Sequence, residues 1–325
     1  MKAPRFWETD GLAPTLLAPL GTLYAAATAR RVARLGQSVP VPVISVGNLS
    51  AGGTGKTPVA MDVLQRLTGR GIAVHAVSRG YGGRMGGPIR VDAACHTPRD
   101  VGDEPLLLSA FAPTWVSRDR AAGARAAVEA GAEALVLDDA HQNPALAKDL
   151  SIVVVDSETG FGNGRCIPAG PLREPVAAGI ARADLVTVLG PPDRSARWTD
   201  GSLGIPVAEG QIAPLPTGMD WKGLRVLAFA GIGRPEKFFA TLRSLGADIA
   251  RAVPLSDHQP IDAPLIRRLT AEARATGAQL VCTEKDAVRL APAMRSEVLT
   301  VPVRVSWADD GPLATALDRI TAPRS

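Results

Sequence analysis

Cysteine and aromatic side chains are scarce in this chain, and each shortage removes a class of function. Its 325 residues include three cysteines, Cys95, Cys166 and Cys282, set far apart with no C-x-x-C pair. Such spacing supplies neither a disulfide framework nor a zinc site, and it suits a reducing compartment. Two tyrosines and six phenylalanines leave little for stacking on bases. Charge of one sign is lacking too. The net charge is +4, with no basic run interleaved with aromatics, so nothing in the sequence supports nucleic acid as a partner. No internal repeat and no low-complexity tract occurs. What the chain does have is 46% hydrophobic residues with 33 glycines and 27 prolines, the composition of an α/β globule long enough for two domains.

The most specific segment is Ser50-Ala51-Gly52-Gly53-Thr54-Gly55-Lys56-Thr57. Before it, Pro42-Val43-Ile44-Ser45-Val46 reads as a short buried strand. After it, Pro58 opens a run with Val59, Val63, Leu64 and Leu67 at helical spacing. Strand, glycine turn and helix are the setting of a phosphate-binding loop. Glycines let backbone N–H groups close around phosphate oxygens, and the helix N-terminus adds partial positive charge. On this reading residues 50–57 bind ATP, with Lys56 on the β- and γ-phosphates and the Thr57 hydroxyl on Mg²⁺. Ser50 stands where the usual pattern has its first glycine.

Apolar strand-like runs then alternate with helical ones, the rhythm of a mostly parallel sheet. The fold expected is α/β: a P-loop NTPase-like parallel sheet with a second, smaller α/β lobe. Ala134-Leu135-Val136-Leu137 runs into Asp138-Asp139, a strand that brings paired carboxylates to Mg²⁺ beside the loop. Asp103-Glu104 begins a leucine-rich helix. There an acid either complements the helix dipole or accepts the proton of an attacking hydroxyl. Arg79, Arg118, Arg120 and Arg173 lie at strand ends or in loops, and His258 lies in a later loop. The polar, Pro/Gly-rich stretch from Pro191 to Pro216 reads as a linker. The division expected is an apolar N-terminal segment over 1–35, a P-loop core over 36–208, and a lobe over 209–325 that closes a cleft.

From Leu12 to Ala29 no residue is charged, and Leu12, Leu16, Leu20, Leu23, Tyr24 and Ala27 keep a helical rhythm that Arg30, Arg31 and Arg34 close. Pro14, Pro19, Gly21 and the threonines count against a spanning helix. Glu8 and Asp10 count against a signal peptide. Two readings stay open. One is an interfacial helix pair, leucines in the acyl boundary and arginines on anionic headgroups; the other is an ordinary helix packed on the core.

Further blocks join these: Val46-Gly47-Asn48-Leu49, Ser78-Arg79-Gly80-Tyr81-Gly82, Gly102-Asp103-Glu104-Pro105, Phe161-Gly162-Asn163-Gly164, Pro168-Ala169-Gly170-Pro171-Leu172-Arg173-Glu174-Pro175, Asp257-His258 and Thr283-Glu284-Lys285-Asp286. Taken in order over most of the chain, they resemble the tetraacyldisaccharide 4'-kinase family, the lipid A 4'-kinases. The resemblance implies ATP-dependent phosphorylation of the 4'-hydroxyl of a tetraacylated glucosamine disaccharide 1-phosphate. It places the enzyme, peripheral or monotopic, on the cytoplasmic face of the inner membrane. It implies Asp103 as general base, tuned by His258, and Ser50, Lys56 and Thr57 on the phosphates and Mg²⁺. Asp138, Asp139 and Glu104 would belong to the metal environment, and Arg120 and Arg173 would offset charge. An acylated lipid and a membrane surface are the implied partners, with no obligate protein partner. Where the family commonly reads Asp-Asp-Gly-Phe-Gln-His, this chain reads Asp138-Asp139-Ala140-His141-Gln142-Asn143, so a role for a histidine at 143 does not carry over. The alternative is a membrane-recruited P-loop ATPase that works as a switch, which leaves Asp103, His258 and Arg173 idle.

Overall fold

The computed structural model describes residues 4–195, 198, 201–256 and 259–322. In chain order its strands are β1 (Val43–Gly47), β2 (Val74–Ser78), β3 (Ile89–Arg90), β4 (Thr114–Val116), β5 (Ala134–Asp138), β6 (Leu150–Asp156), β7 (Leu185–Leu189), β8 (Val207–Pro214), β9 (Arg225–Ala230), β10 (Asp248–Pro254), β11 (Gln279–Thr283), β12 (Leu299–Val301) and β13 (Val303–Asp309). The helices are α1 (Leu12–Val32), α2 (Lys56–Gly69), α3 (Pro98–Val101), α4 (Asp103–Leu108), α5 (Arg120–Glu129), α6 (Val176–Ile180), α7 (Pro192–Ser195), α8 (Pro235–Ser244), α9 (Ala263–Ala275), α10 (Glu284–Ala287), α11 (Pro292–Arg295) and α12 (Gly311–Thr321).

Among the described residues the strands form two sheets, β13-β8-β7-β6-β1-β5-β2-β4-β3 and β10-β9-β11-β12. Every pairing in the large sheet is parallel except its two edge pairs, β13–β8 and β3–β4. A parallel sheet needs cover on both faces, which is why β1, β2, β5, β6 and β7 are buried along their whole length. Side chains alternate between faces with the period of two. Ile44 and Val46 meet Val59, Val63, Leu64 and Leu67 of α2. Val43 meets Ala121, Ala124 and Ala127 of α5 on the other side. This packing fixes the tip of β1, and with it the glycine turn that follows.

Two expected boundaries are corrected. The stretch from Pro191 to Pro216 is not only a linker, because Val207–Pro214 within it is β8, paired with β7. Likewise β13, expected in the second lobe, returns antiparallel to β8, and Leu313 and Leu317 of α12 join the core under α2. The second lobe is therefore the β9–β12 sheet with its helices, inserted between β8 and β13. Both misplaced strands lie at or next to a sheet edge, with Glu209 and Gln211 in one and Arg304 and Ser306 in the other. Half-exposed strands lack the continuous apolar run by which buried parallel strands are recognised.

The N-terminal segment is a single helix and not a pair, since α1 runs unbroken through Pro14 and Pro19. Its leucines do not make the core contact of an ordinary packed helix. Pro14, Gly21 and Thr28 face inward, while Leu12, Leu16, Leu20 and Leu23 are 85%, 78%, 53% and 67% exposed. Close approach requires the small residue, because a Cβ on Gly21 would lie 2.8 Å from the Cys166 carbonyl oxygen. Ahead of α1, Trp7 Nε1 donates to the Pro168 carbonyl at 3.0 Å and so fixes the helix start.

Leu317→Ala tests where α12 belongs. Its fully buried side chain should cost about 2–5 kcal/mol on removal, read from denaturant unfolding. Hydrogen exchange should rise in α2 and β8 and stay unchanged in β9–β12.

Candidate active site

The glycine turn connects β1 to α2, and Gly55 caps the helix with a φ of 92°. A side chain there would be strained by that φ and would also meet Leu189 Cδ1 at 2.5 Å. Asn48 Nδ2 braces the turn from within, donating to the Ser50 carbonyl at 2.7 Å and to Thr54 Oγ1 at 3.1 Å. The N–H groups of residues 52–57 have no protein acceptor among the described residues, so the loop and the start of α2 present an array of open donors. The first two positions also make contacts outside the loop. The Ala51 N–H is used by the Pro171 carbonyl at 2.7 Å. Buried Ser50 turns its hydroxyl to the Gly160 carbonyl at 3.3 Å. Both residues hold the loop against its neighbours.

Opposite the loop, the register Val46↔Asp138 brings the end of β5 level with the end of β1. Asp139 follows with a φ of 48°, the sole positive value outside glycine among the described residues. Aspartate tolerates this conformation better than most residues, and strain of this kind gathers at functional sites. Arg120 stabilises the turn: its Nη2 donates to the carbonyls of both Asp138 and Asp139 at 2.9 Å. Asp119 sets the Arg120 backbone by capping α5, accepting from the Ala121 and Ala122 N–H groups. Arg173 Nη1 donates to Asp139 Oδ1 at 2.7 Å, and Lys56 Nζ stands 3.8 Å from the same oxygen.

These charges are unequal in their comfort. Burial pushes the Asp138 carboxyl up to about 7, and the like charges of Asp139 and Glu104 push the same way. Burial would raise Asp139 as well, but Lys56 and Arg173 outweigh it and hold that group below the usual range. Lys56 is lowered by burial against the pull of Asp139. Asp138 Oδ1 is buried with no hydrogen-bond partner. A buried, unsatisfied carboxylate oxygen near a second acid is a hard-cation donor set, and Mg²⁺ takes one or two such oxygens with the rest from phosphate and water.

The small lobe meets this cluster directly. Asp103 opens α4 and is buried; its Oδ2 accepts from Arg289 Nε at 2.8 Å and Nη2 at 2.6 Å. The third arm of Arg289, Nη1, donates to the Gly231 carbonyl at 2.8 Å and to Asp286 Oδ1 at 3.1 Å. Beside it, Lys285 Nζ lies 2.8 Å from Glu104 Oε1. On the far flank Asp156, at the end of β6, receives Lys237 Nζ at 2.8 Å and Arg234 Nη1 at 3.2 Å. Between these contacts a Cβ on Gly233 would stand 4.0 Å from the Gly53 nitrogen, so the β9–α8 turn lies against the phosphate loop.

Lys56, Asp138, Asp139, Arg120 and Arg173 thus form one cluster, with Glu104 close enough to act on Lys56 and Asp138. Asp103 is joined to the small lobe at the edge of this group, and Thr57 lies in the first turn of α2. His258 lies outside the described residues. Sequence reading missed Arg289, Lys285, Asp156, Arg234 and Lys237. Of these, Lys285 stands in the Thr283-Glu284-Lys285-Asp286 block, and Arg289, two residues past the end of α10, pairs with Asp286 three positions earlier.

An amide-lined loop at the tip of a parallel sheet, opposed by acids and guanidinium groups, defines the chain as a P-loop NTPase-like enzyme of phosphate chemistry. Comparison with known proteins narrows this. The family model described as tetraacyldisaccharide-1-P 4'-kinase matches residues 13–322. The tetraacyldisaccharide 4'-kinase of Dinoroseobacter shibae is 59% identical, covering 98% of each chain. That of Jannaschia sp. is also 59% identical, covering 98% of this chain and 99% of its own. A crystal structure of LpxK from Aquifex aeolicus in complex with ATP aligns with a TM-score of 0.78 at 26% identity, covering 95% of this chain and 99% of the other. The protein belongs to the tetraacyldisaccharide 4'-kinase family.

Asp138 gives a signed test. Its carboxyl is raised from 3.8 to about 7 in the fold, so folding favours the protonated form. Stability is therefore lost as pH climbs from about 4 through about 7 and changes no further above that. In buffer free of nucleotide and divalent cations, Asp138→Asn should match wild type in Tm near pH 4 and exceed it at pH 8. A gap that narrows with rising pH would contradict this assignment.

Proposed function

We infer that the protein is an ATP-dependent kinase that transfers the γ-phosphoryl group to the 4'-hydroxyl of a tetraacylated glucosamine disaccharide 1-phosphate, a step of lipid A biosynthesis. Family membership over residues 13–322 supports the reaction and its acceptor. The observation that carries the reading on this chain is spatial: Glu104, next to Asp103, acts electrostatically on both Lys56 and Asp138. That proximity supports a reading in which the nucleotide loop and the acid at the start of α4 face one cleft.

The open amides of residues 52–57 receive the triphosphate, and Lys56 reaches its β- and γ-phosphates. Thr57 and Asp138 would hold Mg²⁺, with Asp139 and Glu104 completing the negative surround, and the ion would supply charge neutralisation at the phosphate oxygens. Arg173 orients Asp139, and Arg120 keeps the Asp138–Asp139 turn in place. The Asp103 carboxylate accepts the proton of the 4'-hydroxyl as its oxygen forms the new bond to γ-phosphorus. The bond from γ-phosphorus to the β,γ-bridging oxygen breaks, and ADP leaves with that electron pair. Positioning and charge neutralisation dominate such a loose transition state, and a general base adds about 10²–10⁴-fold. Arg289 fixes the carboxylate of Asp103 in one orientation from the other lobe.

The acceptor carries four acyl chains, and α1 offers the surface that meets it. Leu12, Leu16, Leu20 and Leu23 form an outward stripe that ends in Arg30, Arg31 and Arg34. Leucines in the acyl boundary with arginines at anionic headgroups make a peripheral or monotopic anchor, here on the cytoplasmic face of the inner membrane, where ATP is available.

The deciding experiment supplies labelled ATP, Mg²⁺ and the acylated disaccharide phosphate in detergent. Wild type should label the lipid, Lys56→Ala should not, and Asp103→Ala should lower kcat by roughly 10²–10⁴-fold. ATP hydrolysis without labelled lipid would point to a switch-type ATPase. For the anchor, each of Leu16→Ser and Leu23→Ser should weaken partitioning into anionic vesicles roughly tenfold or more, the worth of a buried leucine.

A further inference from the structure

Away from the phosphate loop, Arg34, His141, Asn143, Lys148, Ser151 and Arg182 line a cavity of about 200 Å³. It shares no residue with the cluster around Lys56. Arg34 follows α1, Asn143 and Lys148 come from the β5–β6 connection, Ser151 lies in β6, and Arg182 follows α6. Three of these residues are cationic, and only Arg182 has a carboxylate, Glu174 at 2.6 Å. Lys148 Nζ donates to the His141 carbonyl at 2.9 Å. Neither Lys148 nor Arg34 is paired with an acid among the described residues. His141 is 2% exposed. Its Nε2 is bonded to the Gly179 carbonyl at 3.0 Å, while its Nδ1 has no partner. Burial, with Arg182 and Arg120 nearby, pushes Lys148 down to about 8 against the opposing pull of Glu174, which is already bonded to Arg182.

We propose that this cavity is a second anion site, separate from the nucleotide loop, that takes a phosphate group between Arg34, Lys148 and Arg182. Its volume admits a phosphate but not a nucleotide. The inference does not depend on the kinase reading. One chemistry has two sources here, a lipid headgroup or a soluble phosphate. An apolar groove of about 220 Å³, lined by Ala25, Ala29, Pro175 and Ala178 among others, adjoins the cavity and shares Val32 and Arg182 with it. That continuity would let an acyl chain lie along the inner flank of α1 while its phosphate sits among the cations. Arg34 also terminates the exposed leucine stripe, which places the cavity mouth at the headgroup end of α1.

The test uses the full chain with its phosphate loop filled by Mg²⁺ and a non-hydrolysable ATP analogue, so that remaining phosphate binding reports the second site. One arm titrates inorganic phosphate by calorimetry. The other measures flotation with phosphatidylcholine vesicles, with and without phosphatidic acid. Arg34→Gln and Lys148→Met should each weaken binding roughly tenfold or more, the worth of a hydrogen bond to a charged group. Arg34 is exposed, so its substitution leaves the fold intact even if Lys148→Met does not. Arg30→Gln, on the same stripe but outside the cavity, should leave inorganic-phosphate binding unchanged and weaken flotation less than Arg34→Gln does. Loss in the vesicle arm alone assigns a headgroup, and loss in the phosphate arm alone assigns a soluble anion. Equal binding by wild type, Arg34→Gln and Lys148→Met in both arms overturns the site, as does an equal loss in Arg30→Gln.

Discussion

The placement of two adjacent carboxylates at the end of one buried strand is the constraint on which this structure rests. Asp138 is buried and Asp139 half-buried beside it, so water screens their repulsion only in part. Each neighbour answers that problem differently. Arg120 binds the two main-chain carbonyls and so fixes the turn without neutralising either side chain. Arg173 and Lys56 share one oxygen of Asp139. Asp138 is left as the uncompensated member, and a divalent cation would be most strongly held there. The cluster is thus complete in cations for one acid and incomplete for the other.

The lobes are joined by charge at both flanks of the loop, but the two joints are unlike. Arg289 and Asp103 are 5% and 6% exposed in their side chains, and the guanidinium is further bound to Asp286 and Gly231. Removing either partner would strand a buried charge, which is costly. Lys237, by contrast, is 46% exposed where it meets the buried Asp156, so water screens that pair more than the Arg289–Asp103 pair. Opening therefore costs more on the α4 side than on the β6 side.

The phosphate loop was legible because eight consecutive residues carry both the conformational demand and the chemistry. Asp138 was legible because an unbroken apolar run points at it. Arg289 was not, since its partner lies 186 positions away and a lone arginine in the turn after α10 has no periodic signature. The bracing of Ser50 and Ala51 was hidden for the same reason: their partners, Gly160 and Pro171, come from a distant loop. In α1 the helical period of the leucines was visible, but not which side faced inward. Pattern alone assigns leucine to the core. The small residues Gly21 and Thr28 reversed that, because the helix docks by close backbone approach.

The return of β13 to the large sheet has a consequence for biogenesis. As the chain leaves the ribosome, β1 through β8 emerge first, and β8 has an open edge until the last segment follows. Meanwhile the inserted lobe, contiguous in sequence, is free to fold by itself. The nucleotide-binding half is therefore begun first and finished last, with an unpaired strand exposed throughout synthesis of some ninety residues between β8 and β13. Glu209 and Gln211 on that strand, which hid it from pattern reading, are the polar residues that discourage a stranger from pairing with it in the interval.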